Sequence, residues 1–314
     1  MDSWILTVNA VMPVFFITFL GMLLRKIGFL DDDFDHHATR LVFHVALPVL
    51  VFLKLSSTDF SLVFHPGQIA YACLLTVVVF GLLWLIAARN IKSGRDLGTF
   101  LQCSIRSNFA IVGFAIILNR FGEAGLAKAS ILLAFIMPLY NMLAVIALTV
   151  PLHHQKQMHF RKTLVHIITN PLILAAAAAF LVSLCRIQIP RFLLRTGDYL
   201  SALALPLALL AVGGSLNTKA FRKASSLAVC AVLIKLIVIP VAGTAGAVIL
   251  GWRGQDLGIL FLLFAAPSAI ASFVMAKTMG GNGKLAGNIV FITTFGACFT
   301  ITAGLGILAF MGWI

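Results

Sequence analysis

Arg106 and Lys235 fall deep inside long apolar runs, whereas the other 21 of the 23 lysines and arginines sit in loops or near run ends. At about 1.5 Å per helical residue, Arg106 lies on the order of 12 Å into a run over 98–118, and Lys235 roughly 14 Å into one over 226–250. A charge at that depth is costly and normally faces a polar cavity or a partner, or snorkels to the interface. No acidic residue stands at comparable depth. Lys235 is therefore either held by backbone carbonyls in place of a bound cation, or it joins Arg106 in a site for an anion.

The neighbours of Arg106 favour such a site. Ser104-Ile105-Arg106-Ser107-Asn108-Phe109-Ala110-Ile111-Val112-Gly113 gathers polar and small residues where a lipid-facing helix has no use for them. Near the position 158 residues on, Phe264-Ala265-Ala266-Pro267-Ser268-Ala269 carries a proline. Proline removes a backbone donor and clashes with the preceding turn, so the helix there is expected to break at about Ala266. Two broken helices crossing at mid-membrane leave carbonyls and amides that must line a cavity, and they aim two positive helix N-termini at its centre. The resulting candidate site for an anion comprises Arg106, Ser107, Asn108, Pro267 and Ser268, with Lys235 and Asn141 close by. Asn141 either reaches the crossing or simply bonds between helices.

The elements that must position these residues follow from composition. Of 314 residues, 61% are hydrophobic and 11% charged, and mean hydropathy is +1.06, far outside soluble averages. Ten apolar runs approach or reach the roughly 20 residues that a bilayer-spanning helix needs. They are placed at 5–24, 38–55, 69–88, 98–118, 127–150, 164–184, 198–216, 226–250, 257–277 and 286–310. Pro13 and Pro171, Pro48 and Pro206, and Gly122 and Gly280 are each 158 residues apart, the mark of an internal repeat. Five runs precede the polar stretch from Pro151 to Lys162 and five follow it. An odd number per half makes the repeats inverted. The expectation is an all-α membrane protein of ten transmembrane helices in two inverted five-helix repeats, with helices four and nine broken and crossed. Residues 1–150 form the first repeat, 151–163 a cytoplasmic linker and 164–314 the second.

With both termini outside, inner loops hold fourteen basic residues and outer loops seven, as basic retention in the cytoplasm requires. The net charge of +13 then reflects this bias and anionic lipid, not nucleic acid, since the basic residues are dispersed over short loops. The first run has no basic residue before it and is read as a retained helix. The five cysteines lack metal-ligand spacing and are read as small buried apolar residues. Asp31-Asp32-Asp33-Phe34-Asp35 lacks the glycine and spaced glutamate of a calcium loop, so its acids are expected to cap a helix. His153, His154 and His159 read as a solvated loop. His44 either serves a proton-coupled cycle or is a neutral ring bonded to a carbonyl, and Thr293 and Thr294 are expected to bond their own helix.

The strings Val42-Phe43-His44-Val45-Ala46-Leu47-Pro48, Arg106-Ser107-Asn108, Pro138-Leu139-Tyr140-Asn141, Ile234-Lys235-Leu236 through Pro240 and Ala266-Pro267-Ser268, in this order and spacing, resemble the auxin efflux carrier family. That family comprises bacterial organic-acid carriers and the plant PIN-formed auxin exporters. The resemblance implies elevator-like movement of a transport unit against a scaffold, often a homodimer, with Asn108 and Pro267 at the crossing. Ser107 stands where plant members carry proline, so the break in helix four must come from Ser107, Asn108 and Gly113. The reduced central loop favours the bacterial type. The function implied is secondary transport of a small organic anion, exporting or exchanging it across a bacterial inner (plasma) membrane. No cofactor or nucleic-acid partner is expected. The coupling ion is H+ or Na+, and a fixed Lys235 favours proton coupling or uniport. An anion channel is the main alternative. A membrane enzyme is disfavoured, since no intramembrane acid, nucleophile pair or metal set is visible.

Overall fold

A computed structural model describes residues 2–56, 64–152, 169, 171–185, 187–216 and 225–314. The three loop histidines, most of the linker and the basic cluster around Lys219 lie outside the described residues. Among the described residues the chain is helical, with one isolated antiparallel bridge and no strand. Helix α1 spans Asp2–Lys26. Helix α2 (Asp32–Leu41) runs through a π-helical turn (Val42–Ala46) into α3 (Leu47–Ser56), and α4 spans Pro66–Asn90. Helix α5 (Gly94–Ile105) is followed by an extended break, a π-helical turn (Phe109–Gly113) and α6 (Phe114–Thr149). Next come α7 (Pro171–Leu184) and α8 (Arg191–Gly214). Helix α9 (Ser226–Leu233) passes through a π-helical turn (Ile234–Val238) into α10 (Ile239–Ile249). The chain ends with α11 (Gly254–Ala265), α12 (Ile270–Thr278) and α13 (Gly283–Phe310).

Seven helical stretches are long and apolar enough to cross a membrane, and α7 and α11 are shorter apolar helices. Large apolar side chains such as Leu74, Leu85, Phe192 and Phe299 point outward, the surface of a protein whose solvent is hydrocarbon. Two helical groups form: α1 packs on α8, α3 on α7 and α8, while α4, α5, α6 and α9–α13 pack among themselves around α5 and α11. Helix α1 touches α6 and α13, and α3 touches α6, where the groups meet. Every residue of α5 from Leu97 and of α11 from Leu257 is buried. Helices enclosed on all sides in this way form the centre of the molecule.

Several expectations need correction. The seventh run begins at Arg191, not 198, because Pro190 fixes the entry and α8 starts immediately after it. The loop expected between the fourth and fifth runs is a tight break at Gly122, whose non-helical angles (φ 66°, ψ −161°) divide α6 into two helices and suit a residue without Cβ. Gly113 does not break its helix; it has helical angles (φ −59°, ψ −51°) and leaves room for the Phe109 ring, which a Cβ would meet at 2.5 Å. Cys185 and Cys230 are exposed, not buried. Asp31 does cap α2, its side chain accepting from the Phe34 amide at 2.7 Å.

The π-helical turns Val42–Ala46 and Ile234–Val238 each end two residues before a proline, Ala46 before Pro48 and Val238 before Pro240. Proline cannot donate to the carbonyl four residues back, and a wider turn absorbs the lost bond.

Candidate functional site at the crossing of two broken helices

Helix α5 stops at Ile105, and Arg106 turns extended (φ −71°, ψ 117°). Helix α11 stops at Ala265, and Ala266 (φ −58°, ψ 143°) and Ala269 (φ −67°, ψ 137°) are extended. Buried extended backbone needs partners, and the two breaks supply them to each other. Ser107 faces Ser268 across the antiparallel bridge. The Asn108 amide donates to the Pro267 carbonyl at 2.7 Å and the Ala269 amide to the Arg106 carbonyl at 3.1 Å. Side chains complete the knot. Ser268 Oγ donates to the Cys103 carbonyl at 2.6 Å, Ser107 Oγ to the Ala266 carbonyl at 3.3 Å, and the Ser268 amide to Thr293 Oγ1 at 3.1 Å. Thr293 and Thr294 also bond their own helix, at 2.7 Å to the carbonyls of Ile289 and Val290.

Each break leaves one negative helix C-terminus and one positive N-terminus at the crossing. The negative ends are met by cations. Arg106 is itself the residue capping the end of α5. Lys235 is fully buried, and its Nζ donates to the Phe264 carbonyl at the end of α11, 3.0 Å away. The carbonyl-held lysine is one of the two readings of the sequence. Neither cation has an acidic partner among the described residues, where Lys54 pairs with Glu123, and Lys128 and His65 with Asp256. The Arg106 guanidinium, nearly buried, has the Met275 thioether as a neighbour at 2.9 Å. The N-termini at Phe109 and Ile270 remain as donors, and buried Asn108 Nδ2 has no hydrogen-bond partner. Unfilled donors and an unpaired guanidinium make a site that can bind negative charge.

The structure brings Arg106, Ser107, Asn108, Pro267, Ser268 and Lys235 together. Asn141 is half-buried and makes no hydrogen bond to the crossing. Its neighbour Tyr140 is the buried one. Thr76, Tyr140, Ile105, Phe264 and Ile239 line a cavity of about 10 Å³ beside the crossing, room for one water. His44 is exposed, with Nδ1 at 3.0 Å from the Arg40 carbonyl, the bonded ring that was one of the two readings.

Sequence reading missed how the crossing is tied at its ends. Gly94-Arg95-Asp96-Leu97-Gly98 opens α5 and Gly254-Gln255-Asp256-Leu257-Gly258 opens α11. The two strings are 160 residues apart, two off the register of the other repeat marks, which hid them. Arg95 Nε donates to the Gly280 carbonyl (3.1 Å) beyond α12, and Gln255 Nε2 to the Phe121 carbonyl (3.3 Å) beside Gly122. Gly280 and Gly122 both have positive φ, 85° and 66°. Asp96 accepts from Asn282 Nδ2 at 2.7 Å, and Asp256 pairs with Lys128 at 2.8 Å.

A family model described as membrane transport protein matches residues 6–160 and 154–303, nearly the whole chain. The chain belongs to that family. It is the auxin efflux carrier family of the sequence resemblance, and its two matched stretches meet at the polar segment between the halves. An uncharacterized transporter of Methanocaldococcus jannaschii is 26% identical over 322 residues, covering 98% of each chain. An uncharacterized transporter of Methanothermobacter thermautotrophicus is 23% identical over 289 residues, covering 91% of this chain and 93% of its own. Family and relatives alike bear the names of transporters, not enzymes. The protein is a membrane transporter of this family.

Proposed function

We propose that the protein is a secondary active carrier that exports or exchanges a small organic anion, a carboxylate above all, binding it where the broken helices cross. The single observation behind this is the Ser107–Ser268 bridge with a buried, acid-free Arg106 beside it. Arginine offers a carboxylate two parallel hydrogen bonds, and the N-termini at Phe109 and Ile270 add donors. The architecture in this reading is ten transmembrane helices in two inverted repeats, 1–150 and 164–314, joined by a linker at 151–163. The paired Gly-x-Asp-Leu-Gly strings and the two positive-φ glycines support it. The group around α5 and α11 then moves, elevator-like, against α1, α2, α3, α7 and α8, in a homodimer in the plasma membrane with both termini outside. Lys235 on the Phe264 carbonyl does what a bound sodium ion would do at a helix C-terminus. The reading is therefore proton coupling or uniport without a cofactor.

The test is uptake and counterflow in proteoliposomes with mono- and dicarboxylates, with and without sodium and a pH gradient. Saturable counterflow that Arg106→Ala abolishes is the expected result. Flux that neither saturates nor shows counterflow identifies a channel instead. Single cysteines introduced at Asp2 and His154 should label from opposite sides; labelling from one side overturns the topology.

A further inference from the structure

Helices α5 and α12 face each other along a seam with two polar rungs. Gln102 Nε2 donates to the Ser272 carbonyl at 3.0 Å, and Arg106 Nη1 lies 2.9 Å from Met275 Sδ. The helices run antiparallel, with the Arg106 carbonyl on the Ala269 amide and the Arg95 side chain on the Gly280 carbonyl, so to reach Met275 the Arg106 side chain folds back along the seam in the direction of Gln102. Around them are buried side-chain atoms with no hydrogen-bond partner: Gln102 Oε1, Ser272 Oγ and Asn108 Nδ2. Gln102 and Ser272 are both 0% exposed. Buried polar groups in native proteins are nearly always bonded, so unpaired atoms on both sides of this seam point to a ligand.

Their chemistry is not uniform. A guanidinium, the Asn108 amide nitrogen and a serine hydroxyl can all donate to a carboxylate. Gln102 Oε1 cannot. Its orientation is fixed, because the Ser272 carbonyl only accepts and must be faced by the amide nitrogen. A plain carboxylate on Arg106 would leave this oxygen unpaired or facing a second acceptor. A substrate that brings a donor beside its carboxylate satisfies it. An ammonium there would stand beside Arg106 with no acid to offset it, whereas a hydroxyl carries no such penalty.

Resting on the carrier reading above, we propose that Gln102 and Ser272 make this transporter selective for hydroxycarboxylates, in which a hydroxyl next to the carboxylate donates to Gln102 Oε1. Sites built to bond a hydroxyl reject the analogue that lacks it, and leaving one buried acceptor unpaired corresponds to a preference on the order of ten- to a hundredfold.

The experiment uses pairs that differ by the hydroxyl alone, lactate against propionate and malate against succinate. Counterflow in proteoliposomes is measured for the parent, Gln102→Leu and Ser272→Ala. Thermal-shift titration of the parent with the same four acids needs no variant to fold. The hydroxy member of at least one pair should be carried and bound at tenfold lower concentration, and Gln102→Leu should collapse that ratio toward one. Equal handling of both members of each pair by the parent overturns the inference and leaves the carrier standing. A preference that survives in Gln102→Leu overturns the role of Gln102. If no carboxylate of any kind is bound or carried, the carrier reading itself fails, and the inference with it.

Discussion

Replacing Lys235 by methionine separates the charge of this side chain from its bulk. Methionine has similar length and no charge, so packing inside the π-helical turn is kept. What is lost is the hydrogen bond from Nζ to the Phe264 carbonyl at 3.0 Å. A bond from a charged donor contributes about 1.5–3 kcal/mol, and a cation at a helix C-terminus adds up to about 2 kcal/mol in partly buried geometry. What is gained is relief from holding a lysine cation at mid-helix, about 2.5–3.5 kcal/mol. These terms nearly cancel, leaving Lys235→Met within about 2 kcal/mol of the parent and its melting temperature within about 5 °C. The diagnostic effect is ionic. With the ammonium gone, the carboxyl-terminal end of α11 is an uncompensated negative pole that a small cation can occupy. Differential scanning fluorimetry in detergent should show Lys235→Met stabilised by sodium chloride relative to choline chloride at equal ionic strength, with no difference for the parent. Two results would refute the reasoning: a parent already stabilised by sodium, or a variant that loses more than about 10 °C in both salts.

Other substitutions probe the same frame. Arg106→Lys keeps the charge and loses the two-pronged geometry, so carboxylate binding should weaken about tenfold, and Arg106→Ala about a hundredfold, read by thermal shift with the transported acid. Ser107→Pro should fold and transport, because Arg106 already has the extended angles a residue before proline prefers, whereas Asn108→Pro deletes the 2.7 Å bond to Pro267 and should abolish counterflow. Lys54 on α3 pairs with Glu123 at 2.5 Å across the boundary between the helical groups. Glu123→Gln should change the melting temperature by no more than about 2 °C, because Glu123 is largely exposed and such pairs contribute little. It should also remove a salt dependence of counterflow rate present in the parent; a rate equally salt-sensitive in both denies the pair a role between the groups.

Much of this arrangement is legible in the chain. Pro267 announces its break because proline acts through its own ring, but the freed backbone, expected to line a cavity, instead pairs strand-like between the two breaks. Arg106 and Lys235 stand out because charge is rare in apolar runs. The limits are equally physical. Tyr140 and Asn141 are adjacent, so only the helix phase, set by Pro138 and the break at Gly122, decides which faces the crossing. Gln102 and Ser272 look ordinary in a row of small and polar residues, and their unpaired atoms emerge only when α5 and α12 are docked. The helix entry at Arg191 was missed because the charges of Arg191, Arg195 and Asp198 mask a helix that begins on the polar side of the boundary.

The ties at the ends of the crossing have a further consequence. In an isologous contact between two identical subunits, every contact from position i to position j is matched by one from j to i. Arg95 reaching Gly280 and Gln255 reaching Phe121 obey that rule inside one polypeptide. Two separate copies of one chain could not differ at the reaching position; the two halves of one chain, in the inverted-repeat reading proposed above, can. Arg95 also donates to Gly281 at 3.4 Å, whereas Gln255 has the one bond. In that reading the two ends of one crossing have diverged, one bound by a fork and a charge, the other by a single neutral amide.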